Sequence, residues 1–205
     1  MNLPNKITLS RIALVPVFMI FILPMPHIPQ QLGLFEFARP FFANAALFLS
    51  QYGNYIAAAI FIVASSTDSV DGYIARKTMQ ITNFGKFLDP IADKLLVAAA
   101  LIALVQRNSL TGWAAWIILS REFIVTGLRL VAANEGIVIA ASKLGKIKTI
   151  IQTVAVSLML LDNFPFSIFT TVRVDGYIML IAVIITVYSG YDYIAKNMAL
   201  IDYKV

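Results

Sequence analysis

Apolar residues run along this chain in blocks about 20 residues long, the length a helix needs to cross the hydrocarbon core of a bilayer. The blocks predict helical spans at about 7–24, 54–75, 86–106, 113–133, 146–162 and 174–195. No long polar stretch is left over for a second domain, so residues 1–205 read as one all-α, polytopic membrane domain. Residues 25–53 fit the pattern poorly. The stretch "LFEFARPFFANAALFLS" is apolar enough to lie at a membrane interface, but Glu36, Arg39 and Pro40 argue against a full span.

The second and third blocks are interrupted by polar residues that hydropathy alone would penalise. The stretch "STDSVDGYIARKTMQITNFGKFLDPIADK" holds Asp68, Asp71, Asp89 and Asp93. On a helix, Asp68, Asp71 and Ala75 fall at i, i+3 and i+7, and Gly85, Asp89 and Asp93 fall at i, i+4 and i+8, so each set lines one face. The connection around "KTMQITN" is short, which predicts that the two helices are antiparallel neighbours. Pro90 is expected near the start of its helix, where a missing N–H costs little. Intramembrane carboxylates are costly and mark functional sites more often than structural ones.

Composition sharpens this picture. The chain is 60% hydrophobic and 13% charged, with a mean hydropathy of +0.82, where a soluble domain is about a quarter charged. There is no cysteine, hence neither a disulfide nor a thiolate metal site, and the single histidine, His27, lies in the Pro-rich stretch "PMPHIPQ" and reads as a loop residue. Four carboxylates gathered together need countercharge, or some of them must take up protons. Lys94 and Arg76 offset part of the repulsion, and one or two divalent cations would offset it directly. The donors are all hard oxygens, which selects Mg²⁺ or Mn²⁺, with Ca²⁺ as the outlying choice, over zinc or copper. Gly72, Ala75 and Gly85 leave room beside the aspartates, equally suited to close helix packing or to a substrate cavity.

Lys6 and Arg11 ahead of an apolar run imitate a signal peptide, but no small-residue cleavage site follows, and a retained first span is expected. With the N-terminus on the cytoplasmic side, only Arg39, Arg107 and Arg173 of the 16 Lys and Arg residues fall outside, although Arg121 sits near mid-span. The net charge of +5 is therefore a cytoplasmic feature suited to anionic headgroups or phosphates, and it does not call for nucleic acid. Trp113 and Trp116, and Tyr188, Tyr191 and Tyr193, fit interfacial anchors.

The pattern Asp68-x2-Asp71-Gly72-x2-Ala75-Arg76-x8-Gly85-x3-Asp89-x3-Asp93 resembles, position for position, the signature of the CDP-alcohol phosphotransferases, membrane enzymes of phospholipid synthesis. The segments "NLPNKITLSRI", "FGKFLDPIADK", "SREFIVTGLR" and "LGKIKT" are similar to the bacterial branch that makes phosphatidylglycerophosphate. The resemblance implies six transmembrane helices around a polar cavity open to the cytoplasm, in a homodimer in the cell membrane. It implies that Asp68, Asp71 and Asp89 ligate two Mg²⁺ or Mn²⁺ ions, with Asp93 as general base that also touches a metal. Gly72, Ala75, Arg76 and Gly85 would frame the nucleotide of CDP-diacylglycerol. Asn5 and Thr8 resemble the family's N-terminal contribution there, and read equally well as helix start and cap.

The implied reaction moves the phosphatidyl group of CDP-diacylglycerol to sn-glycerol 3-phosphate, releasing CMP. With no Ser–His or Cys–His pair to form a covalent intermediate, one direct displacement is expected. The acceptor is a dianion, and Arg121, Arg129, Lys146 and Lys148 are the candidates to bind its phosphate, with Lys143 read rather as a positive-inside anchor. Glu122, Thr126 and Arg129 form one helical stripe, and Lys146, Thr149 and Thr153 another. Phosphatidylglycerol, inositol phosphate or serine are the alternative acceptors, and a divalent-cation transporter is the alternative from another class.

Overall fold

Lipid offers no hydrogen bonds to a backbone, so an apolar block that enters it must satisfy its own N–H and C=O groups, and a helix does so within one segment. A computed structural model describes residues 3–23, 39–78, 83–134, 136–137, 139 and 142–197; the side chains of residues 3–8, 39–43, 68–78, 83–90, 93 and 134 lie outside the described set. Six long helices follow in order: α1 (Leu3–Ile22), α2 (Arg39–Thr78), α3 (Asn83–Gln106), α4 (Gly112–Asn134), α5 (Lys143–Leu160) and α6 (Val174–Lys196). A single 3-10 turn, Phe166–Ile168, lies between α5 and α6, and no strand occurs among the described residues.

The expected all-helical architecture is what forms, with two differences. Helix α2 starts at Arg39, well before residue 54, and among its described side chains Asn44–Thr67 form an apolar stretch. At 40 residues this helix is about 60 Å long, about twice the hydrocarbon thickness. Helix α3 begins at Asn83, so Pro90 falls well inside it instead of in the first turn. Its missing N–H leaves the carbonyl four residues back without a helical partner, a defect that membrane helices tolerate where neighbouring groups compensate. Asn44–Thr67 and Val174–Lys196 are each long and apolar enough to cross a membrane. Helices α4 and α5 carry Arg121, Glu122 and Arg129, and Lys143, Lys146 and Lys148, respectively. The chain is an all-helical membrane protein.

The chain divides into two units, Met1–Arg107 and Asn108–Val205. In the first, α1 packs along both α2 and α3, and α2 also touches α3. Phe18, Phe61, Ala57, Ala58, Ala64, Ala100 and Leu104 are buried there, small residues outnumbering large ones as close helix approach in lipid requires. The tightest approach is at Gly53 of α2, where a Cβ would collide with the carbonyl oxygen of Phe21 in α1.

In the second unit α6 is the common partner of α4 and α5. Asn163 fastens its start: the side chain accepts from the Asp175 N–H at 3.0 Å and donates to the Val172 carbonyl at 2.9 Å. Asp175 is wholly buried, and Arg173 closes on it through Nε at 3.0 Å and Nη2 at 2.8 Å. Those bonds and the neighbouring negative charge raise the Arg173 pKa above its ordinary value. Apolar side chains such as Leu180, Ile181, Ile184 and Val187 stay exposed along α6, an outward face suited to lipid rather than water.

Replacing Gly53 by alanine is expected to destabilise the protein by about 1–3 kcal/mol, read as a lower melting temperature in detergent. Gly112→Ala, which meets open space, is the control and should melt within a degree or two of the parent, on the order of the ±0.5 kcal/mol of an ordinary surface change.

Candidate active site

The acidic signature is carried by the first unit. Asp68, Asp71, Gly72, Ala75 and Arg76 lie in the last turns of α2, Gly85, Asp89 and Asp93 in the first half of α3, and Asn5 and Thr8 at the start of α1. The helical spacing that aligns each aspartate pair is therefore realised on continuous helices, and α1, which packs along both, ties them together. The side chains of all ten residues lie outside the described set, and with them the expected metal, nucleotide and general-base contacts. Among the described residues, no group of three or more His, Cys, Asp or Glu side chains is arranged to hold a metal.

The second unit presents a basic cluster in full detail. Arg121 projects from mid-α4 and donates from Nη2 to Ser189 Oγ of α6 at 2.9 Å. Its Nη1 stands 3.7 Å from Glu122, the next residue on α4. Glu122 also receives the ammonium of Lys148 from α5, and both of these side chains are buried. Two turns further along α4, Arg129 donates from Nε to the Tyr193 hydroxyl at 3.1 Å, with its guanidinium carbon 5.5 Å from the centroid of the same ring. Among the described residues, Glu122 is thus met by Lys148 and Arg121, while Arg129 turns to Tyr193.

Local sequence explains how the cluster closes. Ser142 caps α5, its Oγ accepting from the Gly145 N–H at 3.0 Å, and this fixes the turn that carries Gly145 past Arg121. A Cβ on Gly145 would lie 3.6 Å from Arg121 Nη2, and one on Gly190 would lie 3.1 Å from Arg121 Cγ. The first is an ordinary contact, and the second is tight, so it is the glycine at 190 that leaves room for the arginine stem beside α6. Arg121 Nε and Gln152 Oε1 are buried without a hydrogen-bond partner among the described residues, a condition that folded proteins keep rare.

Three of the four basic residues expected at the acceptor phosphate separate by depth. Arg121 is half-buried, Arg129 is exposed, and Lys148 is fully buried against Glu122. Lys146 is exposed on α5 and makes no side-chain bond within the cluster. The sequence reading missed Ser189 and misassigned Tyr193: it is 3% exposed and bonds Arg129, whereas Tyr188 and Tyr191 are exposed as interfacial anchors would be. A signal was present, since Ser189 and Tyr193 lie one helical turn apart in "YSGYDY", but their partners are more than sixty residues away in sequence.

A helical membrane protein with an acidic pair of helices and a separate basic cluster fits a class of enzymes that handle charged lipid precursors. The chain belongs to the CDP-alcohol phosphatidyltransferase family, whose profile matches residues 1–188. It is 52% identical over 196 residues to a CDP-diacylglycerol–glycerol-3-phosphate 3-phosphatidyltransferase of Bacillus subtilis (strain 168), covering 96% of this chain and 95% of that one. Enzymes of the same name from Rickettsia bellii (strain RML369-C) and Haemophilus influenzae are similar as well. The first is 36% identical, covering 94% of this chain and 93% of its own length; the second is 35% identical, covering 94% and 91%.

Replacing Glu122 by leucine removes the carboxylate from a buried lysine and is expected to cost roughly 3–5 kcal/mol. Glu122→Leu combined with Lys148→Met should recover most of that loss in melting temperature. A double variant as unstable as the single one would mean that the ion pair does not organise the unit.

Proposed function

We propose that this protein transfers the phosphatidyl group of CDP-diacylglycerol to sn-glycerol 3-phosphate, yielding phosphatidylglycerophosphate and CMP. Family membership and the names of the relatives support the donor and the reaction. The observation that carries the acceptor is the pair Arg121 and Arg129, two guanidiniums on one helix, each bonded to a hydroxyl of α6. A planar guanidinium matches a phosphate dianion, whereas a neutral or zwitterionic acceptor would have less use for two. Lys146 adds exposed positive charge from α5, and Lys148 keeps the Glu122 carboxylate neutralised so that the arginines are free to bind an anion.

The donor falls to α2 and α3. Asp68, Asp71, Asp89 and Asp93 form an all-oxygen donor set that fits Mg²⁺ or Mn²⁺, with no thiolate or imidazole alongside. Bound there, two such ions would neutralise the diphosphate and stabilise the oxygen leaving with CMP. Gly72, Ala75, Arg76 and Gly85, with Asn5 and Thr8 of α1, frame the nucleotide. Asp93 accepts the proton of the attacking glycerol hydroxyl. That oxygen bonds to the phosphorus bearing the diacylglycerol as the bond from phosphorus to the CMP oxygen breaks, in a single displacement.

The same reading makes all six helices membrane spans, with the N-terminus and the reacting groups on the cytoplasmic side, in a homodimer in the cell membrane. The order of contacts along α4 and α6 supports it. Arg121 meets Ser189 and Arg129 meets Tyr193, so the two helices run in the same sense, as two spans separated by one returning span must.

Purified protein in mixed micelles with CDP-diacylglycerol and Mg²⁺ is expected to release CMP with sn-glycerol 3-phosphate, and not with inositol phosphate, serine or phosphatidylglycerol. EDTA should abolish the release. Asp93→Asn should lower kcat by about 10²-fold or more while the protein still binds CDP-diacylglycerol. Equal turnover with inositol phosphate would reassign the acceptor.

A further inference from the structure

We infer that Ser189 and Tyr193 of α6 are positioning residues that set Arg121 and Arg129 in the geometry that receives the acceptor's phosphate. The inference rests on the acceptor assignment above and concerns the last turns of α6. The family profile ends at residue 188, and both hydroxyls lie beyond it.

Three observations carry it. The first is burial without another task. Ser189 is fully buried and Tyr193 3% exposed, and among the described residues the side-chain hydroxyl bonds of both go to the two arginines. A hydroxyl inside a membrane helix commonly bonds back to the carbonyl four residues earlier. Thr186 does so, donating to Ala182 at 2.6 Å; Ser189 instead accepts from Arg121. The second is the way each arginine is held. Among the described residues Arg129 is held through Nε, with its guanidinium carbon 5.5 Å from the Tyr193 ring centroid, a grip that does not use its two terminal nitrogens. The third is Gly190, whose missing side chain leaves the path along which the Arg121 stem reaches Ser189.

A free arginine loses rotamer freedom whenever it clasps an anion. Holding the fork beforehand removes that cost from binding.

The test separates positioning from packing. Ser189→Ala and Tyr193→Phe each delete one hydroxyl, the second keeping the ring, and Ser189→Thr restores a hydroxyl. Each deletion is expected to raise KM for glycerol 3-phosphate about fivefold, the scale of one lost hydrogen bond to a charged group in part compensated by water. KM for CDP-diacylglycerol and kcat should stay within about twofold, and Ser189→Thr should return KM toward the parent. Binding of inorganic phosphate, titrated calorimetrically in detergent, should weaken by a similar factor. Unchanged KM and unchanged phosphate affinity in variants that melt like the parent would overturn the inference, as would an equal rise in KM for CDP-diacylglycerol. If the parent releases no CMP with glycerol 3-phosphate but the variants still bind phosphate more weakly, the acceptor assignment fails and the positioning role stands.

Discussion

A charged group among apolar helices has to find its partner within the protein, because lipid and packed side chains provide none. In the second unit that constraint falls on Glu122. Its carboxylate takes the ammonium of Lys148 from α5 and lies beside Arg121 of its own helix, while Arg121 continues to Ser189 of α6. Three helices are thereby joined through polar contacts whose alternatives are unpaired buried charges, each worth several kcal/mol. The remaining packing, from Ile118 and Val125 to Ala155, Met159 and Ala182, is apolar and adaptable by comparison. It closes around the charges without dictating where they go.

The four aspartates of the signature lie on α2 and α3, which also carry Arg76, Lys77, Lys86 and Lys94, whereas Arg121, Arg129, Lys146 and Lys148 lie on α4 and α5. A diphosphate donor needs dications between itself and carboxylates, whereas a phosphate acceptor is best met by guanidinium directly.

Much of this was legible in the residues. The six apolar blocks marked the six helices, closely for all but α2, because a helix needs a run of apolar residues along its length to pack or meet lipid. The aspartate spacing was legible because helical periodicity is fixed by the backbone. Two readings went astray for physical reasons. Residues 39–53 carry Arg39 and Pro40, which look like a break, yet proline is at home in the first turn of a helix, and α2 begins there. Tyr193 was grouped with Tyr188 and Tyr191 as an interfacial ring, because sequence gives no sign of which of three nearby tyrosines turns inward.

The sequence by itself determined that this is a helical membrane protein of the CDP-alcohol type with a hard-oxygen acidic signature, because those properties depend on composition and local spacing. It also marked Arg121, Arg129, Lys146 and Lys148 as candidates for an anion. Only the tertiary structure decided their ranks: Lys148 buried on Glu122, Lys146 exposed outside the cluster, and the two arginines clasped by Ser189 and Tyr193 of α6. Such assignments turn on which face of α6 meets α4, and that is settled by packing between segments more than sixty residues apart.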